Sequence, residues 1–122
     1  MDDDAEAFAG DVFARVLGGF EILSIYVGDR LGLYRALVDE PRTVDGLARA
    51  AGIHPRYARE WLEQQAVAGI LTVDDGMFAL PDAHATVLAD PSSLVYSAPL
   101  ARMVAAAAMR LPDLLAAYRT GG

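Results

Sequence analysis

The architecture of this chain can be inferred from residues 43–80, TVDGLARAAGIHPRYAREWLEQQAVAGILTVDDGMFAL. Apolar residues recur there at helical spacing in two successive segments, and two short runs of alternating character follow. The order helix, short turn, helix, β-hairpin is that of a winged helix-turn-helix. We therefore expect a mainly α fold with a small β-hairpin, flanked by further helices.

Residues that begin and end helices delimit both helices of this segment. Thr43 is a suitable N-cap for the first helix, and Gly52 suits the left-handed residue that ends it. His54 occupies the next cap position, with Pro55 at the first helical position, where its missing N–H costs nothing. Gly69 then ends the second helix. The sequence predicts that helix over residues 55–68.

The hairpin follows directly. Residues 70–73 read as a strand, residues 74–76 (Asp-Asp-Gly) as a tight turn, and residues 77–80 as the returning strand. The capping pattern and the hairpin together place the winged helix-turn-helix at residues 42–81.

The flanking segments are also predicted to be helical. Residues 1–41 contain an amphipathic helix over 5–17, a break at Gly18-Gly19, a second helix to Leu31, and a short piece ended by Pro41. Residues 82–122 contain a short segment capped by Asp82 and an alanine-rich helical region over 93–119. We expect all three parts to form one domain.

The flanking helices carry more apolar residues than one small core can take up. The first helices are apolar on more than one side, and the C-terminal region has ten large apolar residues that cannot all point one way. Surplus apolar surface of this kind marks interfaces, so we expect an intertwined helical homodimer; a monomeric core that uses these faces itself is the alternative. The ten residues are Leu94, Val95, Leu100, Met103, Val104, Met109, Leu111, Leu114, Leu115 and Tyr118.

Composition and charge exclude several classes of protein. The 122 residues are 54% hydrophobic and contain no cysteine, which excludes a disordered chain, a disulfide scaffold and thiol catalysis. The net charge is −7, and five acids precede the first base, Arg15. No apolar stretch reaches the ~20 residues of a membrane span. We expect a cytoplasmic protein with no membrane partner.

Catalytic and metal-binding patterns are missing from the sequence. Neither Gly18-Gly19 nor Gly121-Gly122 follows a strand, as the glycine-rich loop of a nucleotide-cofactor site must. The two histidines, His54 and His84, are read as a cap and as an outward-facing residue of a short helix. We assign no catalytic residue, no cofactor-binding residue and no metal ligand.

A DNA-reading role is the second interpretation of the winged helix. The start of the reader helix would present four side chains of suitable type to the major groove. However, residues 42–81 carry four arginines against five acids, and DNA affinity depends on neutralised phosphates, so DNA is the disfavoured partner. The four side chains are His54, Arg56, Tyr57 and Arg59.

The chain resembles the N-terminal winged-helix dimerisation domain of S-adenosylmethionine-dependent methyltransferases, including small-molecule O-methyltransferases and methyltransferase-like transcriptional regulators. The resemblance covers nearly the whole chain and is strongest over residues 56–62 (RYAREWL) and 69–71 (GIL). It extends to residues 32–37 (GLYRAL), 43–48 (TVDGLA), 78–81 (FALP) and 119–122 (RTGG). Such families often carry Glu where Gly46 stands. Because this chain has Gly there, it lacks the capping box that Thr43 and such a Glu would form.

The resemblance implies a dimerisation and substrate-lid module without the Rossmann-like catalytic domain. No cofactor then binds this chain itself, S-adenosylmethionine being implied for a full-length relative. The implied partners are a second copy, a methyltransferase catalytic domain and a small apolar substrate. Two alternatives stay open: a winged-helix transcriptional regulator that binds DNA as a dimer, and a stand-alone helical domain that binds or transforms a hydrophobic metabolite. The residues we place near a substrate pocket are Phe13, Leu17, Phe20, Tyr26, Leu100 and Met103.

Overall fold

The computed structural model describes residues 2–122, which form seven helices and one two-stranded antiparallel sheet. This is the mainly α winged-helix architecture that the sequence predicts. In chain order the elements are α1 (Asp3–Arg30), α2 (Leu33–Asp39), α3 (Val44–Ala51), α4 (Pro55–Val67), β1 (Thr72–Asp74), β2 (Met77–Ala79), α5 (Asp82–Leu88), α6 (Ala98–Met109) and α7 (Leu111–Thr120).

The first helix is continuous, and the predicted break at Gly18-Gly19 is wrong. A helical glycine costs only about 1 kcal/mol relative to alanine, and good helix formers flank the pair on both sides. The cap at Asp2, whose side chain accepts a hydrogen bond from the Asp4 amide at 3.0 Å, helps the helix to begin. At ~1.5 Å per residue the 28 residues of α1 extend ~42 Å.

The predicted caps of α3 and α4 are confirmed. The Thr43 hydroxyl accepts from the Gly46 amide at 3.1 Å, and Gly52 ends α3 at φ 69°. The His54 Nδ1 atom accepts from the Arg56 amide at 3.1 Å. These caps fix the short turn between the two helices of the helix-turn-helix.

The hairpin is shorter than predicted at its open end, where β1 begins at Thr72 and β2 ends at Ala79, and Asp74, predicted in the turn, is the last residue of β1. Residues 70 and 71 do not join β1, because their amides donate to the Gln65 carbonyl at 3.0 and 3.2 Å and so finish α4. Gly69, at φ 78°, turns the chain into this arrangement. At the tip, Asp75 and Gly76 both have positive φ, as a two-residue hairpin turn requires. The Arg42 backbone forms an isolated antiparallel bridge with Phe78, outside the pairing of β1 with β2.

The core lies between the winged helix-turn-helix and α2, the short helix that precedes it. It is formed where α2, α3 and α4 meet the hairpin, and the outer parts of α1, α6 and α7 contribute little to it. The buried cluster consists of Leu33, Tyr34, Leu37, Leu47, Trp61, Leu62, Leu71, Phe78 and Leu80.

The C-terminal helices begin later than predicted. The helical region starts at Ala98 and not at residue 93, and two prolines lie in the first turns of α6 and α7, where a proline is tolerated. Asp82 is the first residue of α5, whose cap position is Pro81. Among residues 2–122, no helix combines the length and the apolar character that crossing a membrane requires.

Candidate functional site

The N-terminal two-thirds of α1 form an unpartnered apolar surface. Every residue from 2 to 20 is exposed, although large apolar side chains recur along this part of the helix. Monomeric domains rarely leave contiguous apolar patches of this size uncovered. The exposed large apolar residues here are Phe8, Val12, Phe13, Val16, Leu17 and Phe20.

A second apolar surface lies on α6, α7 and the loop before α6. All ten residues that the sequence analysis singled out in this region are exposed, including Leu100 at 55% and Met103 at 62%. The prediction that they exceed the needs of this chain's own core is therefore confirmed. We call this surface and the exposed face of α1 together the flank surface.

An ion pair joins the C-terminal end of α1 to α6, beside the flank surface. Asp29, near the end of α1, accepts from Arg102 of α6 at 2.5 Å (Oδ2 to Nε) and 3.0 Å (Oδ1 to the guanidinium Nη2). These hydrogen bonds, with the carboxylate's charge, hold the pKa of Arg102 above its ordinary value. Ala98 and Ala101 are fully buried, so α6 lies against α1 through its smallest side chains.

The six residues proposed near a substrate pocket do not share one cavity within residues 2–122. Leu17 and Phe20 line a groove of about 520 Å³ between α1 and α4, where Val67 and Ala68 complete the apolar floor. Its rim is acidic, with Glu21, Glu60 and Glu63 among its lining residues. The other four of the six lie outside this groove; they are Phe13, Tyr26, Leu100 and Met103.

The four residues of the DNA-reading interpretation are together at the start of α4 and are all exposed. The ring of His54 stands edge-on to that of Tyr57 at a centroid distance of 5.9 Å. However, the Nδ1 atom of His54 is occupied as the helix cap. This leaves the other ring nitrogen and the side chains of Arg56, Tyr57 and Arg59 available for an outside partner.

Each of the two arginines faces an acid on the same helix. The Arg56 Nε atom lies 3.5 Å from a carboxylate oxygen of Glu60, and the Arg59 guanidinium lies 3.5 Å from Glu63. Both pairs are exposed, so they are worth a few tenths of a kcal/mol and can be broken. The exposed Asp75 at the wing tip would approach a phosphate backbone with repulsive charge.

His84 does not face outward, which corrects the expectation from the sequence. It is half-buried on α5, and its Nδ1 atom lies 2.7 Å from the Ile70 carbonyl oxygen. This contact holds the His84 side chain against Ile70, in the turn between α4 and β1. Nowhere in residues 2–122 do three or more metal-binding side chains cluster.

Two hydrogen bonds made by core aromatic residues are not predicted by the sequence. The Tyr34 hydroxyl donates to the side-chain oxygen of the fully buried Gln65, and the Trp61 indole N–H donates to the Ser24 carbonyl at 2.9 Å. Burial, with a smaller contribution from the nearby Asp29 carboxylate, raises the pKa of Tyr34. The available signal was Gln65, a polar residue at helical spacing from the inward-facing Trp61 and Leu62 of α4.

The family of winged helix-turn-helix domains described as Rv2258c-like matches residues 20–90. That range begins within α1 and ends just after α5, so it contains the whole helix-turn-helix and its hairpin.

Solved structures with the same fold are methyltransferases. The mitomycin 7-O-methyltransferase MmcR is 32% identical over 98% of this chain and 36% of its own, with a TM-score of 0.74. CalO1, a methyltransferase in calicheamicin biosynthesis, is 30% identical over 75% of this chain and 27% of its own, with a TM-score of 0.60. Human N-acetylserotonin methyltransferase shares the fold at 16% identity, over 98% of this chain and 36% of its own, with a TM-score of 0.76.

The chain thus spans about a third of the length of the methyltransferases that it resembles. No curated protein sequence matches it significantly.

Proposed function

The chain belongs to the family of Rv2258c-like winged helix-turn-helix domains, and from that membership we propose that it is the dimerisation and substrate-lid module of a small-molecule methyltransferase that uses S-adenosylmethionine. Methyl transfer itself is assigned to a Rossmann-like catalytic domain. MmcR and CalO1 support the reaction class, since both are methyltransferases.

The observation that carries the proposal is the exposure of the flank surface. Its large apolar side chains lie outside a core that is already complete between α2, α3, α4 and the hairpin. Keeping a Phe or Leu side chain in water forgoes roughly 1.5–3 kcal/mol of burial, so a surface of this kind favours association. A second copy offers the same surface in return, as twofold association requires.

The N-terminal part of α1 is the element best suited to intertwine two copies. It extends from the domain as a single helix, and residues 2–20 are exposed throughout. Such a helix can lie across a partner's α6 and α7, where Leu100 and Met103 present the complementary apolar face. Dimerisation and pocket formation would then use the same side chains.

The lid role concerns the six residues proposed near a substrate. Their apolar and aromatic character suits a small apolar acceptor, and Tyr26 adds a hydroxyl. Because only Leu17 and Phe20 share a groove within residues 2–122, the pocket would be assembled with the second copy and the catalytic domain. The remaining members of the proposed pocket are Phe13, Tyr26, Leu100 and Met103.

The two glycine pairs of the sequence are both associated with helices. Gly18-Gly19 lies inside α1, and Gly121-Gly122 follows α7. A strand followed by a glycine-rich loop is the setting in which backbone approaches a nucleotide cofactor, and neither pair is in that setting.

Light scattering tests the proposal. At tens of micromolar we expect twice the 13.0 kDa chain mass. The double variant Phe13→Gln with Leu17→Gln keeps helix propensity and net charge and should weaken the dimer by at least tenfold. The matched control is Val73→Thr, an exposed apolar position on the wing, which should leave the dimer intact. A 13.0 kDa monomer at that concentration would overturn the dimerisation role.

A further inference from the structure

A small apolar cavity, open to solvent on one side, lies between α1, α5 and the turn that follows α4, on a different part of the molecule from the groove at Leu17 and Phe20. Its volume is about 300 Å³, at the lower end of the range for small-molecule sites. That volume fits a molecule of one aromatic ring. The lining residues are Ile25, Gly69, Ile70, His84, Val87 and Leu88.

The walls of this cavity are apolar, and His84 is the one lining residue with a polar side chain. No Asp, Glu or Arg lines it, so a charged ligand would lose its hydration without gaining a partner. The lining therefore selects an uncharged, mainly apolar molecule.

His84 offers one hydrogen-bond acceptor to such a molecule. The Ile70 carbonyl oxygen can only accept, so the Nδ1 atom, 2.7 Å away, must carry the proton and donate. In the neutral ring the Nε2 atom is then an acceptor. Within residues 2–122 no hydrogen bond is made by Nε2. Every fully buried side-chain nitrogen or oxygen in that range has a partner. The Nε2 atom is therefore not fully buried, and a ligand can reach it.

We propose that this cavity binds a single-ring phenol, with the aromatic ring between Ile25, Val87 and Leu88 and the hydroxyl donating to Nε2 of His84. The site is independent of the proposed dimer and lid. It uses the inner side of α1, whereas those use the exposed flank surface.

The probes are p-cresol and toluene, which have the same shape apart from the hydroxyl, titrated into the whole chain and followed by NMR. We expect p-cresol to shift the signals of Ile25, Val87 and Leu88, and the His84 ring to show an unprotonated Nε2. His84→Asn keeps a donor for the Ile70 carbonyl and removes the Nε2 acceptor. It should lower the ratio of p-cresol affinity to toluene affinity about tenfold, since the hydroxyl of p-cresol then lacks its partner.

Val87→Phe fills the cavity and should abolish binding of both probes, and this variant tests the site even where His84→Asn unfolds the chain. The proposal is overturned if neither probe binds the wild type, if the shifted signals lie elsewhere, or if the affinity ratio is unchanged in His84→Asn. It is also overturned if the cavity signals change with protein concentration alone, because a second copy then occupies the space.

Discussion

Asp29 and Arg102, 73 positions apart in the chain, form a two-point ion pair that ties α1 to α6. The Asp29 side chain is 5% exposed, whereas that of Arg102 is 47% exposed. The carboxylate therefore depends on the arginine, while the arginine can still be hydrated. This asymmetry determines what each substitution costs.

Arg102→Ala should destabilise the domain clearly more than the loss of an exposed ion pair does, because it leaves a buried carboxylate without its partner. Asp29→Asn should cost less, since an amide oxygen can still accept from the arginine. Urea unfolding measures both. The matched control is Arg110→Ala, which breaks the exposed pair with Asp113 and should cost less than about 0.5 kcal/mol. Equal losses in Arg102→Ala and Arg110→Ala would contradict this account.

Gly28 is required by close packing, not by its backbone conformation. A Cβ atom there would lie 2.5 Å from the Trp61 ring and 2.6 Å from the Tyr34 ring. Gly28→Ala should therefore destabilise the chain by about 2 kcal/mol despite alanine's better helix propensity. Gly18→Ala in the same helix meets no atom within 4 Å and should raise helical content, which circular dichroism can compare. If the Gly28→Ala variant is as stable as the wild type, the Trp61 and Tyr34 rings can move aside at no cost, and the prediction is wrong.

Tyr34 makes stability depend on pH in the alkaline range. Its pKa in the folded chain is raised above the ordinary 10.0, so the folded state keeps its proton where the unfolded chain loses it. The stabilisation is complete below about pH 10 and is lost as pH rises above that value. Urea unfolding from pH 8 to 11 should show this decline.

The Tyr34→Phe variant separates two effects. At pH 8 it should cost about 1–3 kcal/mol, because the buried Gln65 loses its hydrogen-bond partner. Its stability should also decline less steeply between pH 8 and 11 than that of the wild type. Parallel pH profiles for the two proteins would refute the assignment to Tyr34.

Local signals in the sequence predicted the winged helix. Contacts between residues far apart in the chain could not be predicted from the sequence. Thr43, Gly52 and His54 act through atoms within a few residues of themselves, so their types alone specify the helix ends. The pairing of Asp29 with Arg102 depends on how α6 returns to α1, which no local pattern encodes.

Two errors have specific physical causes. The predicted break at the glycine pair in α1 is wrong, because a loss of about 2 kcal/mol in helix propensity does not end a long helix. His84 was placed on the outside because α5 is short, and its partner is a backbone carbonyl that no side-chain pattern reveals. The six residues proposed around a substrate are spread over α1 and α6, and only Leu17 and Phe20 of them line the groove between α1 and α4.

S-adenosylmethionine should not bind this chain. Calorimetry at high protein concentration should give only the heat of dilution, because the proposal assigns the cofactor to a separate catalytic domain. Joining the chain to such a domain should restore binding, and the fused protein is the positive control. Saturable binding of S-adenosylmethionine to the isolated chain would refute the proposal that the cofactor binds a separate catalytic domain.

DNA binding provides the sharpest test between the proposed function and a regulator. We expect no salt-sensitive mobility shift at low protein concentration, because residues 42–81 carry five acids against four arginines, and Glu60 and Glu63 lie beside the two arginines at the start of α4. The double variant Glu60→Gln with Glu63→Gln frees both arginines and should create weak, salt-dependent binding without sequence preference. If the wild type instead shifts DNA and Arg56→Ala abolishes the shift, the helix is a reader, and the regulator alternative replaces the lid module.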